Sequence, residues 1–237
     1  MESKVYGVVL AGGSGRRLGG EEPKQFQLIG GRPILIRTLE VFLKVPVLDK
    51  ILLVTPADWI SHTEDLIQQY LGRQEQILLV AGGKDRSESL LKAIEALDAQ
   101  GKLLSETILV THDAVRPFVT VGMIETGTDL ACKGTPAMTV IPATDTIICS
   151  TDGARIKEVP DRSTMYQMQT PQTFNALDYL KCYEGLSADE KVLITDASGV
   201  FMRAGVPVGM VSGAKTNIKI TYPEDLVIAE QFCRMQA

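Results

Sequence analysis

The sequence predicts an α/β fold: a Rossmann-like, doubly wound, mostly parallel sheet with a protruding β-hairpin arm. Three observations predict it. Short, β-rich apolar runs alternate with segments of helical period through the first half of the chain, the pattern of βαβ units and of a sheet covered on both faces. A glycine-rich loop directly follows the first run, and sheets of this kind bind ligands at the carboxyl ends of their strands. Beyond Pro142 the alternation breaks into a Thr- and Asp-rich stretch with a turn at TDG, which reads as the arm.

Taken in order, VYGVVLA (5–11) is almost wholly apolar, as suits a central strand buried on both faces. PILIRTLEVFLKV (33–45) opens on proline and carries apolar residues at helical spacing. KILLVTP (50–56) is a second strand, DWISHTEDLIQQYL (58–71) a helix and QILLVAGG (76–83) a third strand. SESLLKAIEALDAQG (87–101) is the clearest helix and closes on glycine. ETILVTHDAVRPF (106–118) is a fourth strand running into a polar loop. PAMTVIPATDTIICSTDGARIKEV (136–159) supplies another strand and then the arm, for which an ordinary edge hairpin is the alternative. DEKVLITDASGVFMRAG (189–205) reads as one helix, and VPVGMVSG (206–213) and TNIKIT (216–221) as short strands. Thr221 and Glu224 form a capping box for a last helix, PEDLVIAEQFCRM. The expected organisation is a single domain over residues 1–237, with the arm at 143–163.

A chain of 237 residues, 45% hydrophobic and 22% charged, can bury a full core without disulfides or metals. Its net charge of −5 does not favour nucleic acid as a partner, so an anion site requires local clustering of Arg and Lys. Cys132, Cys149, Cys182 and Cys233 are far apart, with no C-x-x-C, and read as reduced thiols. No window of 18 apolar residues is present, so no membrane span is expected. The polar start leads straight into a strand, which argues against a cleaved signal and makes the cytoplasm the expected location.

The loop LAGGSGRRLGGEEPKQF (10–26) fits neither common glycine fingerprint. A P-loop requires G-x-x-x-x-G-K-[ST], whereas Arg16 and Arg17 follow Gly15 here. A dinucleotide fingerprint requires a third glycine where Leu18 stands, and LLVTP offers no ribose-binding acid. What remains is a turn with three cations, Arg16, Arg17 and Lys24. A triphosphate demands that many, especially one whose charge moves onto a leaving pyrophosphate. Pro23 restricts the backbone beside Lys24 and helps to aim it. A solvated loop whose basic residues merely balance Glu21 and Glu22 is the bland alternative.

This loop, with its Gly-rich turn, Arg and Pro-Lys, resembles the signature of nucleotidyltransferases that join a nucleoside triphosphate to a sugar phosphate. GGKDRSES (82–89), THDAVRPF (111–118), MYQMQTPQTF (165–174), LITDAS (193–198) and NIKITYPEDL (217–226) narrow the resemblance to cytidylyltransferases acting on small polyol phosphates. These blocks stand in family order over nearly the whole chain. The family includes enzymes for D-ribitol 5-phosphate and for 2-C-methyl-D-erythritol 4-phosphate. Val115 and Phe118 in HDAVRPF, MYQMQTPQ, and the Trp in TPADWISH look more like the ribitol enzymes.

The resemblance implies a reaction of CTP with a polyol phosphate to give a CDP-polyol and pyrophosphate, aided by Mg²⁺ or another divalent cation. It implies that Ala11, Gly12, Gly13, Ser14 and Gly15 cradle the triphosphate, while Arg17, Lys24 and Lys219 neutralise the reacting phosphates. Arg16 either joins them or faces solvent. Gly82, Gly83, Arg86 and Ser89 fall on the cytosine side, and Lys84 departs from the acidic residue expected at its position. Asp113, just past a strand end, is the implied Mg²⁺ ligand, with a structural pairing to Arg116 as the alternative. His112 beside it reads as structural, since the chain has two histidines and no metal-ligand spacing. The acceptor site resembles one shared between the subunits of a homodimer: Thr146, Arg162 and Thr170 reach the acceptor phosphate of the neighbour, and Thr195 and Arg116 complete the pocket. Two rival readings are a nucleotide-binding regulator without turnover and an NAD-dependent enzyme. The first is disfavoured by the presence of Arg17, Lys24 and Lys219, and the second by the missing third glycine.

Overall fold

The computed structural model describes residues 3–12 and 23–236. Nine strands and eight α-helices are present among them. Strands β1 (Lys4–Leu10), β4 (Lys50–Thr55), β5 (Ile77–Ala81), β6 (Thr107–Asp113), β7 (Ala137–Pro142), β8 (Tyr166–Asn175) and β9 (Gly209–Ser212) form one sheet in the order β5-β4-β1-β6-β8-β7-β9. β2 (Leu28–Ile29) and β3 (Arg32–Pro33) make a separate small hairpin. β1 pairs in parallel with both β4 and β6, and β4 with β5. β8 alone runs against its neighbours β6 and β7. The strand order therefore reverses at β1, where ligands of such sheets bind. Here the ends of β1 and β6 lie side by side, with Leu10 opposite Asp113.

The apolar run at β1 explains its central place. Val5 and Val9 join one core with α1 (Ile34–Phe42), α2 (Ile60–Leu71) and α4 (Val121–Cys132). Tyr6 and Val8 join the opposite core with α3 (Arg86–Asp98), α5 (Ala176–Glu184) and α7 (Ala197–Arg203). Period-two alternation thus feeds both layers. Gly7 lets α1 approach: a Cβ there meets the Phe42 ring at 2.9 Å. A third cluster packs Val115, Phe118 and Ile220 beneath Ala229 and Cys233 of α8 (Pro223–Gln236).

Several expectations are corrected. Residues 189–205 form two helices, α6 (Ala188–Val192) and α7, because Asp196 accepts from Gly199 N at 3.2 Å and caps a new helix. Residues 216–221 form no strand; a turn is followed by extended chain tied by Ile220 N to Val115 O at 2.9 Å. The expected Thr221–Glu224 box is not formed: Thr221 Oγ1 donates to Lys219 O at 3.1 Å, and Asp225, in the first turn of the last helix, reaches back to accept from Thr221 N and Tyr222 N, each at 2.8 Å. Helices α4 and α5 and strand β8 were not foreseen. Pro171 argues against a central strand, yet β8 accommodates it where the pairing with β7 shifts register between Met138 and Val140.

The stretch after β7 carries an antiparallel bridge, Cys149 to Glu158, around a turn where Asp152 accepts from Ala154 N and Arg155 N at 2.9 Å. Ile148, Ile156 and Val159 on it are exposed. No helix among the described residues is long and apolar enough to cross a membrane.

Candidate active site

A cavity of about 260 Å³ opens at the ends of β1 and β6, and Gly12, Lys24, Gly83, Arg86, Asp113 and Lys219 are among its lining residues. Each is placed by local structure. Lys24 starts a single 3-10 turn, Lys24–Phe26, whose buried Gln25 donates from Nε2 to Ala11 O at 2.6 Å. This bond ties the lysine-bearing turn to the end of β1. The segment after β5 is held by Gly82 N to Thr55 O at 2.8 Å and by Lys92 Nζ donating to Gly82 O at 2.9 Å. Ser89 is buried in the first turn of α3, and its Oγ accepts from Gly83 N at 3.0 Å. Gly83 must lack a side chain, since a Cβ there lies 2.4 Å from Glu88 Cγ. Asp85 caps α3 by accepting from Glu88 N at 2.8 Å. Lys84 also lines the cavity, and its N–H is taken by Glu88 Oε2 at 3.1 Å.

Asp113 is the electrostatic centre. Its buried carboxylate accepts from Arg86 Nη1 at Oδ1 and lies 2.8 Å from Lys219 Nζ at Oδ2, with Arg116 Nε at 3.8 Å. Burial alone would raise its pKa, but Arg86, then Lys219 and Arg116, override that and hold it well below the usual carboxylate range. Burial in turn lowers the Arg116 pKa, partly offset by Asp113. Among the described residues no group of three or more His, Cys, Asp or Glu could hold a metal unaided. One carboxylate among the cations Lys24, Arg86 and Lys219 instead fits Mg²⁺, which is commonly held by one or two carboxylates plus substrate phosphates.

A second cavity, about 150 Å³, shares Arg86, Asp113 and Lys219 with the first and adds Arg116, Thr170 and Thr195. A third, about 400 Å³, continues from Arg116 and Lys219 toward Thr144, Asp145, Gln167 and Lys215. The walls between them rest on a buried polar network. Asp113 N donates to Thr170 Oγ1 at 3.2 Å, and Thr170 Oγ1 meets His112 Nδ1 at 2.8 Å. His112 Nε2 meets Arg116 O at 3.0 Å. Arg116 Nη1 donates to Asn217 O at 2.8 Å, and Asn217 Nδ2 to Thr170 O at 2.9 Å. Burial first, with Arg116 and Arg86 adding, pushes His112 down to about 4 against the help of the Arg116 carbonyl and Asp113. The ring is therefore neutral at pH 7, accepting at Nδ1 from the Thr170 hydroxyl and donating from Nε2.

The structure thus gathers Ala11, Gly12, Lys24, Gly83, Arg86, Ser89, Asp113 and Lys219 around one cavity, with Gly82 adjoining. Arg116, Thr170 and Thr195 line the next. The Thr170 hydroxyl is spent inward on Asp113 N and His112. Thr146 is exposed, and Arg162 donates to Thr144 O at 3.2 Å; neither lines these cavities within one chain. Gly13, Ser14, Gly15, Arg16 and Arg17 lie outside the described residues. Sequence reasoning missed Gln25, Gln172 and Asn217, each fully or almost fully buried. The available signal was a carboxamide set among apolar or strand-forming neighbours in KQF, TPQTF and NIKI.

Paired cavities thus share Arg86, Asp113 and Lys219 at the switch point of a doubly wound sheet, the place where such folds carry an enzyme's ligands. Comparisons with known proteins specify the class of enzyme. A family model described as IspD, 2-C-methyl-D-erythritol 4-phosphate cytidylyltransferase, matches residues 5–235, and the chain belongs to this family of nucleotidyltransferases. It is 45% identical over 228 residues to ribitol-5-phosphate cytidylyltransferase of Streptococcus pneumoniae, covering 95% of this chain and 97% of the relative. Among solved structures it is similar to the 4-diphosphocytidyl-2C-methyl-D-erythritol synthase of Anaerococcus prevotii, with 28% identity, a TM-score of 0.78, and 98% and 96% of the two chains covered. For the 2-C-methyl-D-erythritol 4-phosphate cytidylyltransferase of Thermus thermophilus the values are 27%, 0.69, and 99% and 100%. The expected fold and the expected cytidylyltransferase resemblance are both borne out.

Proposed function

We propose that this enzyme joins CTP to D-ribitol 5-phosphate, giving CDP-ribitol and pyrophosphate. The observation that carries it is the common wall of Arg86, Asp113 and Lys219, which lets one cavity hold the nucleotide and the next the acceptor phosphate. The 45% identity to relatives named for ribitol 5-phosphate favours that acceptor. The description of the family model favours a second reading, 2-C-methyl-D-erythritol 4-phosphate.

The acceptor phosphate is largely dianionic at pH 7, so its oxygen attacks the α-phosphorus without a general base. One P–O bond forms, the bond to the β-phosphate bridge breaks, and pyrophosphate leaves. His112, buried and bonded at both nitrogens, is not needed as a proton acceptor. Lys24 and Lys219 are assigned to neutralise charge on the transferring group and the leaving pyrophosphate, the dominant requirement of such transfers. Arg17 has the same role by resemblance alone. Asp113 is the residue that would hold Mg²⁺, which when bound would add neutralisation of phosphate charge. Gly12, Gly82, Gly83 and Ser89 are assigned to the nucleotide, and Arg116 and Thr195 to the acceptor, while Thr170, its hydroxyl already bonded to Asp113 N and His112, supports that wall in its own chain rather than reaching a neighbour's phosphate. Thr146 and Arg162 are assigned to the neighbour's acceptor site in a cytoplasmic homodimer. The exposed apolar residues Ile148, Ile156 and Val159 of the arm support that assignment.

The test is pyrophosphate release with CTP, Mg²⁺ and each polyol phosphate. A kcat/KM at least tenfold higher for ribitol 5-phosphate is expected. Preference for the methylerythritol substrate selects the second reading, and no release with either refutes catalysis of this kind.

A further inference from the structure

We propose that Gln172 is a direct ligand of the acceptor phosphate, donating to one of its oxygens from Nε2. This rests on the cytidylyltransferase reading and adds to it a residue that the sequence did not suggest. Gln172 lies on β8 opposite Thr111 of β6 and is 1% exposed. It lines the small cavity together with Arg86, Asp113, Arg116, Thr195 and Lys219.

Its carboxamide orientation is fixed by its surroundings. Oε1 faces two donors, Ala197 N at 3.3 Å and Arg86 Nη2 at 3.4 Å, so this end must be the oxygen. The amide nitrogen is then left buried without an acceptor among the described residues. Arg116 Nε on the same cavity also lacks a hydrogen-bond acceptor there, its distance of 3.8 Å to Asp113 Oδ2 being too long. Buried donors are nearly always paired, and leaving one unpaired is costly. Neither carboxylate on the cavity, Asp113 or Asp196, is a hydrogen-bond partner of the Gln172 amide nitrogen. Two idle N–H donors beside Lys219 and Arg86 call for an acceptor-only group with several oxygens. Both substrates carry such phosphates, and the reading above assigns the acceptor's monoester, not the nucleotide, to this side of Asp113.

Two substitutions separate this role from a structural one. Gln172→Glu keeps an oxygen for Ala197 N and Arg86 but replaces the donor with an acceptor. Gln172→Leu removes both. We expect Gln172→Glu to raise KM for the polyol phosphate at least tenfold while KM for CTP stays within twofold. A merely structural residue gives the opposite pattern: Gln172→Glu behaves as wild type, and Gln172→Leu impairs CTP through Arg86. An acceptor KM within twofold of wild type, or a CTP KM raised equally, overturns the assignment. Should Gln172→Glu not fold, the side-chain amide signal of Gln172 in ¹⁵N-labelled wild type decides. It shifts on titration with the polyol phosphate if the assignment holds, and staying fixed overturns it. Failure of the assignment leaves wild-type turnover intact, whereas absence of wild-type turnover with both acceptors overturns the reading and the assignment together.

Discussion

His112 makes stability depend on pH in a window that can be isolated. In the folded protein it is pushed down to about 4, chiefly by burial, from an ordinary value of 6.5. Between those values the unfolded chain binds the proton more readily, so the contribution is complete above pH 6.5 and is lost as pH falls toward 4. The depression corresponds to about 3 kcal/mol, most of it lost between pH 7 and pH 4.5. The Asp113 carboxyl, held far below the usual range, contributes little in that interval. The perturbation is acidification, and the control is His112→Gln, which keeps a donor and an acceptor but does not titrate. Urea unfolding with EDTA at pH 7, 6, 5 and 4.5 gives the two curves, and subtraction removes His62 and the carboxylates. Wild type should lose roughly 2 kcal/mol more than the variant over this range. Parallel curves would show that His112 is hydrated or protonated in the native state, and the neutral-bridge account of the network would fail.

Two further outcomes are expected. Lys24→Ala lowers kcat by about 10²–10³, the scale of losing one preorganised charge donor, with the thermal midpoint unchanged because the lysine is only half-buried; near-normal turnover refutes its role. Arg162→Ala raises KM for the polyol phosphate more than for CTP in steady-state kinetics; equal effects on both count against the neighbour's site.

What the sequence made legible follows a physical division. β1, β4 and β6 are near-continuous apolar runs because both faces are covered, and β5, at the sheet edge and half-buried, is just as apolar; that pattern is local. α3 is read from its period and from the glycine that closes it, whereas its Asp85 cap emerges only in the structure. α4 escaped because Gly122, Gly127 and its threonines lower helix propensity. The fold requires Gly127 for another reason: a Cβ there lies 2.8 Å from Thr173 Oγ1 on β8. β8 escaped because YQMQTPQTFN is polar and contains Pro171, and its polar groups are used across the sheet, as in Thr139 Oγ1 donating to Pro171 O at 2.8 Å. At the site, charged residues beside glycines were readable as phosphate ligands. The inward bonds of Thr170, His112, Gln169 and Asn217 were not, since their partners lie 45 to 58 positions away.

The single reversed strand has a consequence for how such an enzyme can change. By running against β6, it brings Gln169–Gln172 to the rim where Asp113 sits, so the wall of the small cavity is written in a stretch of chain that the Lys24 cavity does not use. Under the proposed assignment of the two cavities, revising that stretch would exchange one sugar alcohol for another while the activated-nucleotide half stays as it is. The seam itself is under stricter constraint, because any change at Arg86, Asp113 or Lys219 is felt by both substrates at once.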